Sequence, residues 1–167
     1  MEDHADDIRE AVDEIGIRRL HSRYADVITR RAWPELAHIM TAECTLDLDL
    51  GDRRSRHDGP SAIGSFIAAA VERFSFFELV VLNTVTEIDS SAGTAGARMY
   101  TVEVRELGDE GHRSDAFGLY HDRLVRGTDR QWRFEHRRYQ SMARGAPAGS
   151  QRDLEVFDVS YRALDQL

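Results

Sequence analysis

The sequence predicts an α+β fold, and three observations carry this prediction. Apolar residues with helical spacing are concentrated in the first half of the chain, whereas strand-like alternation dominates from residue 76 to residue 142. The segments between these later strands, SSAG, GDEG and RGTD, are hairpin-sized and rich in turn residues. Consecutive strands joined by short turns, with the helices segregated from them, favour α+β over a doubly wound parallel sheet.

The composition limits the function classes. The chain has 167 residues, of which 41% are apolar, so it fits one domain with a sizeable core. Its net charge of −8 disfavours nucleic acid as a partner. All 22 basic residues are arginine, which excludes Schiff-base chemistry and the phosphate-binding P-loop because both need a lysine. The single cysteine, Cys44, excludes an internal disulfide, and the N-terminal segment and short apolar runs predict a cytoplasmic protein without membrane contact.

Three helices are predicted in the first half of the chain. Apolar residues recur at three- and four-residue intervals from residue 8 to about residue 31, which predicts a long amphipathic helix. The segment AWPELAHIMT, with Pro34 at a favoured first-turn position, predicts a short second helix. A turn at residues 58–59 and helical spacing from residue 60 to residue 74 predict the third.

The remaining elements are strands and a tail. CTLDLDLG alternates strictly, which predicts a half-buried strand with its three leucines on one face, Leu46, Leu48 and Leu50. Residues 76–89, 94–107, 113–126 and 131–142 predict an antiparallel meander. The tail begins as a linker and regains helical spacing, so we expect a domain of residues 1–145 followed by a linker and a C-terminal helical tail, residues 146–167.

Two segments, RYADVITRRAWPELAHIMTAECTLDLDLG and GLYHDRLVRGTDRQWRFEHRRY, resemble the nuclear transport factor 2-like superfamily, specifically its SnoaL-like branch. The resemblance covers roughly residues 8–142. It implies a cone-shaped curved antiparallel sheet with three N-terminal helices packed on its concave face around a pocket. It also implies cofactor-independent acid–base chemistry, a cyclisation, isomerisation or dehydration, on a polyketide- or steroid-like carbonyl compound. Because one scaffold hosts many functions, a non-catalytic ligand-binding or interaction module is the alternative.

The resemblance assigns roles residue by residue, and many positions do not match. The tyrosine with which ketosteroid isomerases hold an oxyanion falls on Tyr24. A tyrosine on an apolar helix face can also simply pack in the core. The aspartate that serves those enzymes as general base falls on Leu48. Asp47 and Asp49 lie one residue to either side and therefore point to the opposite face unless a bulge re-aims them.

The chain also resembles scytalone dehydratases over the same helix, but it lacks the functional side chains of those enzymes. Their catalytic tyrosine and aspartate fall on Ile28 and Thr29, and their two strand histidines fall near Asn83 and Val104. Water elimination by that route is therefore not predicted. An amide at Asn83 is instead expected to orient a carbonyl or hydroxyl group, or to make a structural hydrogen bond.

The stretch AFGLYHDRL places neighbouring polar residues on opposite faces of a strand. The register implied by the resemblance turns Gly118 and Tyr120 toward the pocket and leaves His121 on the convex face, whereas the opposite register would make His121 the acid or base. Phe117 and Leu119 then lie on the convex face, which predicts a homodimer contact.

The candidate site follows from these assignments. The resemblance also turns Tyr100 inward. The candidate catalytic residues are therefore Tyr24, Tyr100, Tyr120 and His121, and the candidate substrate-binding residues are Thr29, Leu48, Asn83 and Gly118. The scattered histidines show no metal-ligand spacing, so we expect no metal and no cofactor. The expected ligand is a small apolar carbonyl-containing molecule.

Overall fold

A computed structural model describes residues 2–108, 111–145, 151 and 153–167. Its helices are α1 (Glu2–Thr29), α2 (Leu36–Ile39) and α3 (Pro60–Val71), with single 3-10 turns at Trp33–Glu35 and Leu164–Gln166. Its strands are β1 (Met40–Asp49), β2 (Arg54–Asp58), β3 (Phe74–Asp89), β4 (Thr94–Leu107), β5 (His112–Arg126), β6 (Trp132–Gly145) and β7 (Leu154–Val156). The α+β class predicted from the sequence is confirmed. No helix in these described ranges is both long and apolar enough to cross a membrane.

The strands form one curved, open sheet in the order β2-β1-β6-β5-β4-β3, with β7 paired to β6. The pairs β3–β4, β4–β5 and β5–β6 are antiparallel, as the hairpin-sized connections predict. The pair β1–β6 is parallel, so the sheet is mixed rather than purely antiparallel. Because β1 and β6 are far apart in sequence, no local turn pattern reports this pairing.

Helix α1 packs one apolar stripe against the sheet. Its residues Ile17, Leu20, Tyr24 and Ile28 are almost fully buried in the core. The stripe does not continue to the start of the helix, where Ile8, Val12 and Ile15 are about half exposed, at 50–55%. The apolar spacing therefore predicts the helix correctly but overstates how much of it is buried.

Strand β2 is absent from the sequence prediction. Its residues RSRHD are mostly exposed and carry no apolar alternation. Backbone pairing with β1 alone defines it. Strand recognition from side-chain pattern fails here because neither face of the strand is buried.

The predicted helix in the tail is wrong. Leu154–Val156 forms β7, and the residues after it run in extended form to a short turn at Leu164–Gln166. The backbone N–H of Phe157 donates to the Met142 carbonyl, and the N–H of Arg162 donates to His121 Nε2. These bonds to the sheet replace the internal bonds of a helix. The predicted linker, at residues 146–150 and 152, lies outside the described residues, and the boundary at residue 145 stays a prediction.

Candidate functional site

A cavity of about 210 Å³ lies between α1, α3 and the concave face of the sheet. Its apolar wall includes Ile28, Leu46, Leu48, Phe66, Phe77 and Leu79. Its polar wall includes Tyr24, Glu103, Arg105, Tyr120, Tyr139 and Ser141. Typical ligand pockets measure ~300–1,000 Å³, so this cavity suits a compact ligand.

Three phenols meet at one part of the wall. The hydroxyl oxygens of Tyr24 and Tyr120 lie 3.2 Å apart, which is hydrogen-bonding distance. The rings of Tyr120 and Tyr139 meet edge to face with centroids 4.9 Å apart. All three side chains are buried within the protein and reach the cavity. The arrangement offers O–H donors to a ligand oxygen in a site that excludes bulk water.

The phenols remain protonated at neutral pH. Burial raises the pKa of Tyr24, although the positive charge of Arg137 and the hydrogen bond with Tyr120 offset part of this effect. Burial also raises the pKa values of Tyr120 and Tyr139 well above the usual range. Each group therefore serves as a hydrogen-bond donor rather than as a phenolate.

Glu103 is the one carboxylate among the described residues that line the cavity. Its side chain is 21% exposed and ion-pairs with Arg105, whose Nη1 lies 3.3 Å from its Oε2. Burial raises its pKa above the ordinary value of 4.5, and the charges of Arg105 and Arg73 offset only part of that rise. A carboxylate with an elevated pKa in a cavity is suited to take up and return a proton.

A buried ionic cluster supports the phenols from the core. Arg137 is completely buried and binds Asp122 through two hydrogen bonds, of 2.7 Å from Nε and 3.0 Å from Nη2. His21 Nε2, on α1, lies 3.2 Å from the second carboxylate oxygen. Burial opposes ionisation of Asp122, but the charge of Arg137 and the hydrogen bond from His21 outweigh it and lower its pKa. Asp122 is therefore an anion that joins α1 to β5 and β6.

The same arginine contacts the rings of two of the phenols. The guanidinium carbon of Arg137 lies 3.9 Å from the ring centroid of Tyr24 and 4.1 Å from that of Tyr120. It also lies 3.9 Å from the centroid of Phe134. These are close cation–π distances in a dry environment. The charge of Arg137 favours negative charge on the Tyr24 hydroxyl, and the charge of its partner Asp122 offsets part of this effect.

Several sequence-predicted residues lie at the cavity. Tyr24, Leu48 and Tyr120 form part of its wall. Gly118 shares the inward face, but the space beside it is filled by the Tyr139 ring, which a Cβ at this position would overlap. The Tyr139 ring therefore occupies the space in which a ligand would contact Gly118, the predicted substrate-binding residue.

Two predicted residues lie elsewhere because of strand register. On β4, Glu103 and Arg105 face the cavity, so Tyr100, with Val102, belongs to the opposite face and does not line it. The expectation for Tyr100 is therefore wrong. Asn83 is exposed and stands directly after a register shift between Val81 and Asn83, which removes it from the cavity.

Two others have structural partners. The Thr29 hydroxyl accepts a hydrogen bond of 3.1 Å from the Leu79 backbone, which ties the end of α1 to β3. His121 is 1% exposed on the outer face, under the tail, with its Nε2 accepting from the Arg162 backbone. Burial, with the charges of Arg98 and Arg138, lowers the pKa of His121 to about 4, so it is neutral at pH 7. It does not face the cavity.

Three residues of the cavity wall are absent from the site predicted from the sequence: Glu103, Arg105 and Tyr139. In TVEVREL the apolar residues Val102 and Val104 suggest an inward face, and the charged residues suggest solvent. This inference fails because the concave face surrounds a partly polar cavity rather than a continuous core. The charged pair spaced two residues apart on one face is the signal that was available.

The fold is shared with known proteins. Residues 9–138 match the model of the SnoaL-like domain family. A protein proposed as a scytalone dehydratase from Novosphingobium aromaticivorans is 17% identical, with a TM-score of 0.72 over 98% of this chain and 99% of that chain. Hexachlorocyclohexane dehydrochlorinase LinA-type3 from Novosphingobium barchaimii is 15% identical, with a TM-score of 0.72 over 93% of this chain and 99% of that chain.

A third structure extends this likeness. ActVI-ORFA from Streptomyces coelicolor is 15% identical, with a TM-score of 0.64 over 77% of this chain and 96% of that chain. A comparison with curated protein sequences gives no match. At these identities the structural likeness shows the fold, and the chemistry has to be argued from the cavity itself.

Proposed function

We propose that this chain, which belongs to the SnoaL-like domain family, catalyses cofactor-independent proton abstraction beside a carbonyl group of a compact ligand. Membership of the family confirms the resemblance seen in the sequence. The observation that carries the proposal is a single carboxylate with a raised pKa, Glu103, in a cavity whose wall also presents three buried phenols. The solved structures named above include proteins described as a dehydratase and a dehydrochlorinase, which supports acid–base chemistry in this fold.

The proposed step uses Glu103 as the base. Its carboxylate takes the proton from the carbon next to the ligand carbonyl, and the electron pair of the broken C–H bond forms the C=C bond of an enolate. The carbonyl oxygen then carries the negative charge. The Tyr24–Tyr120 pair donates a hydrogen bond to that oxygen, and Arg137 beside the rings adds favourable charge. Protonated Glu103 can afterwards return the proton.

The enolate is common to the reactions that the sequence analysis anticipates. Reprotonation at a more distant carbon gives an isomerisation, and loss of a β-hydroxyl group, which leaves as water after protonation, gives a dehydration. Attack on a second carbonyl group gives a cyclisation. We place the shared first step on a compact, polyketide-like carbonyl compound with an apolar body, which fits the leucine and phenylalanine side chains of the wall.

Hydrogen–deuterium exchange at the α-carbon of 2-tetralone tests this proposal without knowledge of the natural substrate. The full chain is incubated with the ketone in D₂O, and mass spectrometry follows deuterium uptake above the buffer rate. We expect exchange by the wild type and its loss in Glu103→Gln. Glu106→Gln, an exposed carboxylate of the same strand, is the matched control and should exchange normally.

Exchange at the buffer rate by the wild type would contradict the proposal. Saturable binding of the ketone without exchange would favour the non-catalytic binding module instead. Equal exchange by the wild type and Glu103→Gln would reject Glu103 as the base while leaving a catalytic cavity.

We also propose that the protein is a cytoplasmic homodimer. Leu119, expected at the subunit contact, is fully buried within the chain. We therefore assign the contact to exposed apolar residues of β3 and of α1, which packs against β3. These include Phe76, Leu82, Val85, Ile8 and Val12. Light scattering at micromolar concentration should give twice the chain mass of 19.0 kDa, and a mass of one chain would contradict the dimer.

A further inference from the structure

Arginine dominates the charge of the cavity. Four arginines line it, Arg53, Arg73, Arg105 and Arg144, against the single described carboxylate Glu103. This local excess of positive charge stands out in a chain with a net charge of −8. An unequal charge balance in a concave site favours a ligand of the opposite charge.

Two of these arginines are neutralised within the protein. Arg105 pairs with Glu103 at 3.3 Å, and Arg144 pairs with Glu155 at 2.9 Å and with Asp52 at 3.5 Å. Within the described part of the chain, neither Arg53 nor Arg73 forms an ion pair. The uncompensated charge of the cavity therefore rests on these two side chains.

Arg73 lies beside the aromatic wall of the cavity, next to Phe74. It stands between α3 and β3, and its guanidinium carbon lies 4.9 Å from the ring centroid of Phe74. The guanidinium carbon of Arg105 lies 5.1 Å from the same centroid. Arg105 already binds the Ser114 hydroxyl and Glu103, so its donors are engaged, whereas the planar fork of Arg73 remains available for a carboxylate.

We propose that the natural ligand is an aromatic or alicyclic keto acid, whose ketone takes part in the proposed chemistry and whose carboxylate binds the guanidinium group of Arg73. This inference rests on the proposed function, because it names the substrate class of the same cavity. Glu103 lines the same cavity as the phenols and the arginines. Its charge contributes to the raised pKa values of Tyr24 and Tyr139, and the charges of Arg105 and Arg73 offset part of the rise in its own pKa.

The charge of Glu103 also affects binding of the ligand carboxylate. The negative charge of Glu103 repels the carboxylate of the ligand, so removal of that charge should tighten anion binding while it abolishes proton abstraction. Arg73 is exposed, so its attraction for the anion should weaken as salt is added.

Calorimetric binding of 2-naphthoate and of its neutral analogue 2-naphthamide to the full chain tests the proposal at neutral pH and low salt. We expect the wild type to bind the acid at least about tenfold more tightly than the amide, because hydrogen bonds to charged groups are the strong ones. Arg73→Gln should abolish the preference, and Arg73→Lys should restore part of it. Glu103→Gln should bind the acid more tightly than the wild type does. Arg23→Gln, an exposed arginine of α1 outside the cavity, is the control and should keep the preference.

Equal affinity of the wild type for the two probes would overturn the inference, as would a preference retained in Arg73→Gln or no binding of either probe. The two proposals fail separately in the wild type. A preference for 2-naphthoate without exchange of neutral 2-tetralone would reject the chemistry alone, and exchange without the preference would reject the carboxylate alone.

Discussion

The hydroxyl oxygens of Tyr24 and Tyr120 lie 3.2 Å apart on the cavity wall, although the residues are separated by 96 positions in the chain. One hydroxyl donates its proton to the other. The hydroxyl that accepts keeps its own proton free, and this proton is available to a ligand oxygen. Either phenol therefore depends on the other for its orientation.

Removal of either hydroxyl should impair the proposed chemistry more than the fold. Tyr24→Phe and Tyr120→Phe should each lower the rate of 2-tetralone exchange by on the order of 10²–10³, the usual effect of losing one oxyanion donor. Each should cost only ~1 kcal/mol of unfolding free energy. Tyr100→Phe, on the opposite face of β4, is the matched control and should exchange normally. Unchanged exchange in all three variants would leave the phenols with a packing role alone.

The Asp122–Arg137 pair should be strongly coupled in stability. Arg137→Met removes the main partner of a fully buried carboxylate, and such a loss typically costs ~3–5 kcal/mol. The double variant Asp122→Asn with Arg137→Met should be more stable than Arg137→Met alone, because no buried charge is then left unpaired. Urea denaturation of the wild type, both single variants and the double variant measures this coupling. Additive effects would show that the pair does not act as a unit.

Acid should weaken the attachment of the tail through His121. Its folded-state pKa of about 4 lies below the ordinary 6.5, so its contribution to stability is present above pH 6.5 and is lost as the pH falls toward 4. The loss by pH 5 is about 2 kcal/mol on this basis. His121→Gln keeps an acceptor for the Arg162 N–H but cannot titrate in this range.

Denaturation of the wild type and His121→Gln at pH 7 and pH 5 checks this effect. The variant should lose less stability than the wild type between the two pH values. Parallel losses in the two proteins would show that His121 does not sense acid.

Glu103 should carry a cost in stability. Its folded-state pKa is raised, so its contribution to stability is greatest at low pH, where the carboxyl group is neutral, and is lost as the pH rises through the folded pKa. The stability of Glu103→Gln relative to the wild type should therefore increase from pH 4 to pH 8. Melting temperatures of both proteins across this range measure the trend. A relative stability that falls with pH would mean that the Arg105 ion pair outweighs burial.

Local patterns in the sequence predict most of the fold. The spacing in α1 and the strict alternation of CTLDLDLG place Tyr24 and Leu48 on inward faces, because burial of one face selects the register. The alternation of β5 separates Tyr120 from His121 but leaves two registers open, and the family resemblance selects the one in which Tyr120 lines the cavity and His121 faces outward. These inferences succeed because each depends on a few neighbouring residues.

The rest depends on long-range pairing or on the cavity itself. The hydrogen bond between His21 and Asp122 joins residues 101 positions apart, so no local spacing in the sequence predicts it. The shift before Asn83 reverses a face that alternation alone would predict. Glu103 points inward because a partly polar cavity, rather than a core, lies behind β4, and apolar patterning cannot distinguish the two.

The pH dependence of 2-tetralone exchange, measured for the wild type and Glu103→Gln, tests the central claim most directly. A general base must be ionised, and the pKa of Glu103 is raised above 4.5, so the wild-type rate should rise with pH through a midpoint above that value. The variant should be slower by on the order of 10²–10⁴ and should lack this midpoint. A variant that keeps the wild-type rate and midpoint would contradict the assignment of Glu103 as the base.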